Sequence, residues 1–231
     1  MKKKLSGANL KWFAIIAMLI DHSAIALVYP SILVFNQTIS MEILYDIMRL
    51  IGRLAFPIFV FLIVEGFNHT RNIKKYLLRL GLFALISEIP FNLIISYKAF
   101  YPQAQNIFIS LFLGVLMLSI IREMQIRWGK KGPYASLFVI IVFALFNEYI
   151  HADYGFYGIM MIAIVYLLRY QPRQQVMAIA LLGLYQKTAA LSAIPIYFYN
   201  GRRGKQNKYF FYIFYPAHLL ILYFMRNALY G

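Results

Sequence analysis

KWFAIIAMLIDHSAIALVY, residues 11–29, is apolar from end to end except for Lys11 and the Asp21-His22-Ser23 triplet, and it stops at Tyr29-Pro30. A helix needs about 20 such residues to cross roughly 30 Å of hydrocarbon, so this stretch reads as a membrane span with two ionisable groups inside it. A basic start and the Ala24-Ile25-Ala26 triplet imitate a secretory signal. The run nevertheless continues to Val28 with Asp21 and His22 within it, and it is read as a retained first helix.

Runs of the same kind follow at 43–67, 76–95, 107–121, 134–149, 156–170, 175–199 and 209–225, with a polar bend at Asn36, Gln37 and Glu42 after the first. The expected fold is all-α, a polytopic transmembrane helix bundle of about eight to nine helical segments, some short or broken. No repeat or linker marks a second domain, so residues 1–231 are expected to form a single integral membrane domain.

Composition points the same way. Apolar residues make up 62% of the chain and charged residues 13%, against about 25% charged in an ordinary soluble domain, which excludes a water-soluble globule. The 23 Lys and Arg outnumber the 8 Asp and Glu, for a net charge of +15. These cations lie in short patches between apolar runs, as membrane topology requires and nucleic-acid binding does not. Absence of cysteine excludes disulfides, thiolate metal sites and a cysteine nucleophile.

Lys and Arg gather on cytoplasmic loops. Lys2, Lys3, Lys4 and Lys11 therefore place the amino terminus in the cytoplasm, and the 30–42 loop, with neither Lys nor Arg, outside. Arg71, Lys74, Lys75 and Arg79 return the chain inside, the 97–106 loop holds only Lys98, and Arg122, Arg127, Lys130 and Lys131 are inside again. The 151–155 turn is then outside and Arg169 and Arg173 inside. A single crossing by 175–199 would strand Arg202, Arg203, Lys205 and Lys208 outside. Gln186, Lys187 and Thr188 stand at its middle, so it is expected to split into two short helices or a re-entrant hairpin, leaving the carboxyl terminus outside.

Ionisable groups at membrane depth are costly and face a bundle interior or a wet cavity. His22 can act as a general base near neutral pH. Asp21, about 100° around the helix from it, can orient a group on another helix or bind substrate. Arg49 and Arg53 share one helical face, suited to an anionic group or a carboxylate, with Gly52 and Pro57 permitting close approach and a bend. Glu88 precedes Pro90, which is expected to break its helix, and either joins a site or pairs with Arg53. Glu65 and His69 either line an entrance or mark a helix end.

At the turn 146–158, His151 and Asp153 either orient a substrate beside Glu148 and Tyr154, or form a tight hairpin in which Asp153 caps the next helix. No standard zinc spacing is present, so no metal is expected. His218, after Pro216, either satisfies a freed carbonyl or meets a ligand. The candidate catalytic residues are His22, Asp21, Arg53 and Glu88. Lys11, Lys74, Lys75, Arg202 and Arg203 are candidates to attract a phosphorylated cofactor, although topology alone also accounts for them.

LKWFAIIAMLIDHSA (10–24), RLIGRLAFPIFVFLIVEGFNHTRNIKKYLLRL (49–80), ALISEIPFNL (84–93), HADYGFYG (151–158) and YNGRRGKQNKYFFYIFYPAHLLILY (199–223) together resemble the TraX family of integral membrane proteins. The resemblance implies acetyl transfer from cytoplasmic acetyl-CoA, in the cell inner membrane, to an acceptor at the outer side: a pilin amino terminus, a glycan or a lipid head group. A wider group of transmembrane acyltransferases carries Arg, ten residues, then a catalytic His in its first helix. Lys11, ten residues and His22 match that pattern with Lys in place of Arg. Read without the resemblance, the same polar interior suits a proton-coupled transporter or lipid flippase, or a non-enzymatic pilus or envelope assembly partner, embedded in membrane lipid and binding no nucleic acid.

Overall fold

The structure is a computed structural model and describes residues 4–35 and 39–230, the side chains of Phe35, Lys130 and Lys208 excepted. Lys2, Lys3, Asn36 and Gln37 of the sequence reading lie outside the described residues. Eight helices make up the described chain: α1 Gly7–Val34, α2 Ile39–His69, α3 Ile73–Ser96, α4 Ile107–Trp128, α5 Gly132–Tyr149, α6 Gly155–Leu167, α7 Pro172–Tyr197 and α8 Lys208–Tyr230. Six of them, α1 to α5 and α7, are long and apolar enough to cross a membrane. The protein is thus an all-α, multi-pass bundle, and side chains such as Phe13, Leu85 and Leu145 stand exposed on its flanks, where hydrocarbon is their solvent.

Local chemistry sets the helix starts. Ser6 Oγ accepts from the Asn9 amide while Asn9 Oδ1 accepts from the Ser6 amide, a reciprocal cap on α1. Asn72 and Asn106 cap α3 and α4 through the amides of Lys75 and Phe108. α1 is not uniform: residues Ala24–Val28 form a π-helical turn directly after Asp21-His22-Ser23, the kind of irregularity that concentrates at functional sites. α2 loosens at Arg53 and Leu54, just after Gly52.

Pro90 does not break its helix. α3 runs unbroken from Ile73 to Ser96, the proline removing only its own amide from the ladder, and side chains from outside the helix anchor other carbonyls. Asn106 Nδ2 reaches the Ala84 carbonyl at 2.8 Å, and Arg226 of α8 donates to the carbonyls of Leu93 and Ile94.

α7 does break. Gln186 and Lys187 leave helical geometry, Lys187 with φ of 56°, and the chain folds back so closely that a Cβ on Gly183 would stand 2.5 Å from the Ala190 amide nitrogen. Gln175 at its start donates to Val165 at the end of α6. Past its far end, Asn200 donates to Leu5, while Gly7 and Ala8 donate to Arg202 and Arg203. Both ends of α7 therefore lie at the face where α1 begins, and α7 is a re-entrant hairpin. The Thr188 hydroxyl donates to the Leu50 carbonyl at 2.6 Å, which puts the tip at the level of Arg49. This geometry gathers Lys11, Lys74, Lys75, Arg122, Arg169, Arg202 and Arg203 on one basic face.

Candidate functional site

Asp21 and His22 diverge, as adjacent helical residues must. Asp21 faces α2, where Arg49 Nη1 donates to its Oδ2 at 2.6 Å, and Gly52 leaves room for the carboxylate: a Cβ there would collide with Asp21 Oδ1, Cβ and Cγ. Its other oxygen, Oδ1, is buried with no hydrogen-bond partner among the described residues. His22 faces α8, with Nδ1 2.6 Å from Nε2 of His218, whose Nδ1 in turn lies 2.7 Å from the Phe214 carbonyl.

Arg53 meets the α5–α6 turn. Its side chain hydrogen-bonds Tyr154, and both Arg49 and Arg53 act electrostatically on Asp153. The turn is drawn inward: Gln105 donates to His151 and Asp153 to Gln105, while the Tyr154 ring lies on Phe56 at 3.6 Å between centroids. Burial outweighs the two arginines and pushes the Asp153 carboxyl up to about 6. Asp153 does not cap α6; Glu148 does, accepting from the Phe156 amide at 2.7 Å. His151, with φ of 55°, is exposed. Glu88 binds Asn106 at 2.5 Å. Tyr215 joins these groups: its ring packs edgewise on His22 and His218, with centroids 6.0 and 5.7 Å away, and Asp153, Glu88 and Tyr154 lie in its electrostatic surroundings.

Of the four candidate catalytic residues, Asp21 and His22 sit back to back on α1, Arg53 beside them on α2, and Glu88 beyond Tyr215. The pairing of His22 with His218 across 196 positions has no local signal in the sequence; the intramembrane histidine after Pro216 was the available clue.

A cavity of about 530 Å³ opens on the basic face and runs inward from Gly7, Lys11, Arg79 and Arg203, past Phe59, Phe211 and Tyr212, to Met18, Phe108 and Tyr215. Met18 lies one helical turn before His22, so the inner end of the cavity abuts the histidine pair. Lys11 and Arg203 line this cavity, with Arg79 added; Lys74, Lys75 and Arg202 are exposed around the same face.

A second, more polar groove of about 520 Å³ lies between Glu65, Asn68, Arg122, Tyr166 and Arg169. Helix ends are shared unequally between the two. α1, α3 and α8 begin at the first cavity, α4 and α6 end at the second, and the end of α2, with Glu65 and His69, lines both. A helix amino terminus favours an anion by about 0.3–1 kcal/mol and a carboxyl terminus disfavours it similarly. Cations at both sites lie over rings, Arg122 on Phe67 and Arg169 on Tyr166 at the second, Lys11 on Phe211 and Arg79 on Tyr76 at the first. The three helix amino termini make the first cavity the better fit for an anion.

The fold and this site define a multi-pass membrane protein with a histidine-centred polar interior reached from its basic face. The chain belongs to the TraX family, whose model, described as TraX protein, matches residues 6–226. It is also 30% identical over 249 aligned positions, covering 94% of each chain, to a protein of Dichelobacter nodosus described as "Probable fimbrial assembly protein FimC, serogroup H1". No solved structure gives a significant match. Membership in the TraX family implies enzymatic activity of the acetyltransferase type in general.

Proposed function

We propose that the protein moves an acetyl group from acetyl-CoA, entering at a cytoplasmic basic face, to an amine or hydroxyl of an acceptor at the other side of the inner membrane. The observation that carries this reading is the cavity that begins among Lys11, Arg79 and Arg203 and ends at Tyr215, against His22 and His218. Its residues fit the donor: cations and helix amino termini for the phosphates, and an aromatic shaft for the uncharged pantetheine arm. Bound there, the donor would supply an activated thioester carbonyl. Lys74, Lys75 and Arg202 add long-range attraction at the rim.

His22 takes the proton of the acceptor amine or hydroxyl as that atom attacks the carbonyl. The carbon–sulfur bond then breaks, and the departing thiolate regains a proton, so acceptor and thioester become acetylated acceptor and free thiol. Asp21, packed against Gly52, holds the Arg49 guanidinium on α2 one turn before Arg53. Arg53 steadies the negative charge developing on the carbonyl oxygen. Glu88 shapes the site through Asn106 and Tyr215. The fimbrial description of the Dichelobacter nodosus relative supports a pilin amino terminus as acceptor, ahead of a glycan or lipid head group.

The test is turnover of labelled acetyl-CoA by purified protein in lipid nanodiscs, wild type beside His22→Ala. General-base catalysis is worth about 10²–10⁴-fold, so His22→Ala is expected to lose at least about a hundredfold. Equal turnover would overturn the reading.

A further inference from the structure

The rings of His22 and His218 are 14° from coplanar with centroids 4.9 Å apart, while the facing nitrogens are only 2.6 Å apart. In a face-to-face stack the rings would lie about as close as their nearest atoms. Here the centroids stand farther apart by about the width of one ring, so the two nitrogens point at each other in one plane. This is an in-line hydrogen bond.

Its proton can be placed by elimination. The Phe214 carbonyl oxygen can only accept, so Nδ1 of His218, 2.7 Å away, carries a hydrogen. A neutral imidazole has one N–H and one acceptor nitrogen, which makes Nε2 of His218 an acceptor. Nδ1 of His22, which faces it, must then be the donor. The remaining nitrogen of His22, Nε2, holds the lone pair.

We propose that His218 is a positioning residue that locks His22 in the Nδ1–H tautomer and so makes Nε2 its basic nitrogen. The arrangement runs in one direction, from His22 through His218 to the α8 backbone. The Phe214 ring, stacked on His218 at 4.8 Å, holds the middle of the relay in plane. Without such a partner, a histidine side chain in water favours the Nε2–H form, whose basic nitrogen would point along the relay and away from an acceptor. When Nε2 of His22 takes up a proton, the new imidazolium already donates through Nδ1 to His218, so no group need turn during the reaction. What the base acts on rests on the acetyl-transfer reading; the tautomer does not.

Nitrogen-15 NMR of histidine-labelled protein in nanodiscs tests this at a pH where the imidazoles are neutral. The chain has four histidines, and replacing the exposed His69 and His151 by Gln leaves the signals of the pair. Nδ1 protonation of both rings is expected in the wild type. His218→Gln, whose side-chain carbonyl can still accept, keeps the His22 tautomer. His218→Phe releases it to Nε2–H, and kcat falls at least about a hundredfold with KM for acetyl-CoA unchanged, since losing a tautomer-setting partner can cost up to about ten-thousandfold in kcat. An Nε2–H His22 in the wild type, or no change of tautomer in His218→Phe, would overturn the proposal. Undiminished turnover in His22→Ala would instead overturn acetyl transfer by this base and leave the tautomer standing. The wild-type spectrum decides the matter even if His218→Phe does not fold.

Discussion

Gly52 shows how little slack surrounds the ion pair of Asp21 and Arg49. A methyl group there meets three atoms of the aspartate side chain, and α2 cannot retreat because Arg49 and Arg53 flank the contact. Gly52→Ala is expected to cost about 1–3 kcal/mol as an overpacked core substitution and to lower kcat by displacing Asp21; thermal unfolding and turnover in nanodiscs check both. Asp153 gives a pH signature. Unfolded, an aspartate titrates near 4, whereas burial here pushes the Asp153 carboxyl up to about 6. Between those values the folded chain holds the proton and the unfolded chain does not. The stability this contributes is complete below about pH 4 and is lost as pH rises through 6, up to about 3 kcal/mol at 1.36 kcal/mol per unit. Asp153→Asn should flatten that slope in denaturation midpoints between pH 4 and 7; an unchanged slope would count against a buried Asp153. At this scale the sequence exposed the groups but not their partners. An Asp-His pair inside an apolar run is conspicuous by its cost. That Asp21 meets Arg49 and His22 meets His218 depends on helix packing across 28 and 196 positions, which no local pattern encodes.

Among the elements, the fold of α7 is legible from charge, whereas the course of α3 is not legible from its proline. Four cations after residue 199 could not be placed on the outer side without breaking the charge rule, and the structure folds α7 back at Gln186 and Lys187 accordingly. Pro90 removes one donor, yet α3 continues through it, packed against α4 and α8. Asn106 and Arg226 anchor it at other carbonyls, those of Ala84, Leu93 and Ile94, from positions that reveal nothing of the sort in sequence. The π turn of α1 had no sequence signal at all. The hairpin is open to a clean test because the chain has no cysteine. A single cysteine at exposed Lys205 should react with an impermeant thiol reagent from the same side as one at Lys4. Reaction from the opposite side would mean that α7 crosses. Gly183→Val, which forces the two limbs apart at Ala190, should destabilise the fold while leaving both cysteines on the same side.

Over the whole molecule the +15 charge has two separable uses, and kinetics can divide them. Topology needs only that Lys and Arg remain on one face. Binding needs particular cations at the cavity, and Lys11 and Arg203 line it while Lys74 and Lys75 stand exposed at the rim. A direct contact with a phosphate acts at short range. A rim charge acts through the field, which is screened over about 8 Å at physiological salt. Lys11→Gln and Arg203→Gln should therefore raise KM for acetyl-CoA about tenfold or more at every ionic strength, each removing a charge-assisted hydrogen bond of about 1.5–3 kcal/mol. Lys74→Gln and Lys75→Gln should lower kcat/KM only in low salt, with the difference vanishing near 0.5 M. If all four variants respond to salt alike, the basic face orients the protein in the membrane and the cavity does not bind the donor through its charges.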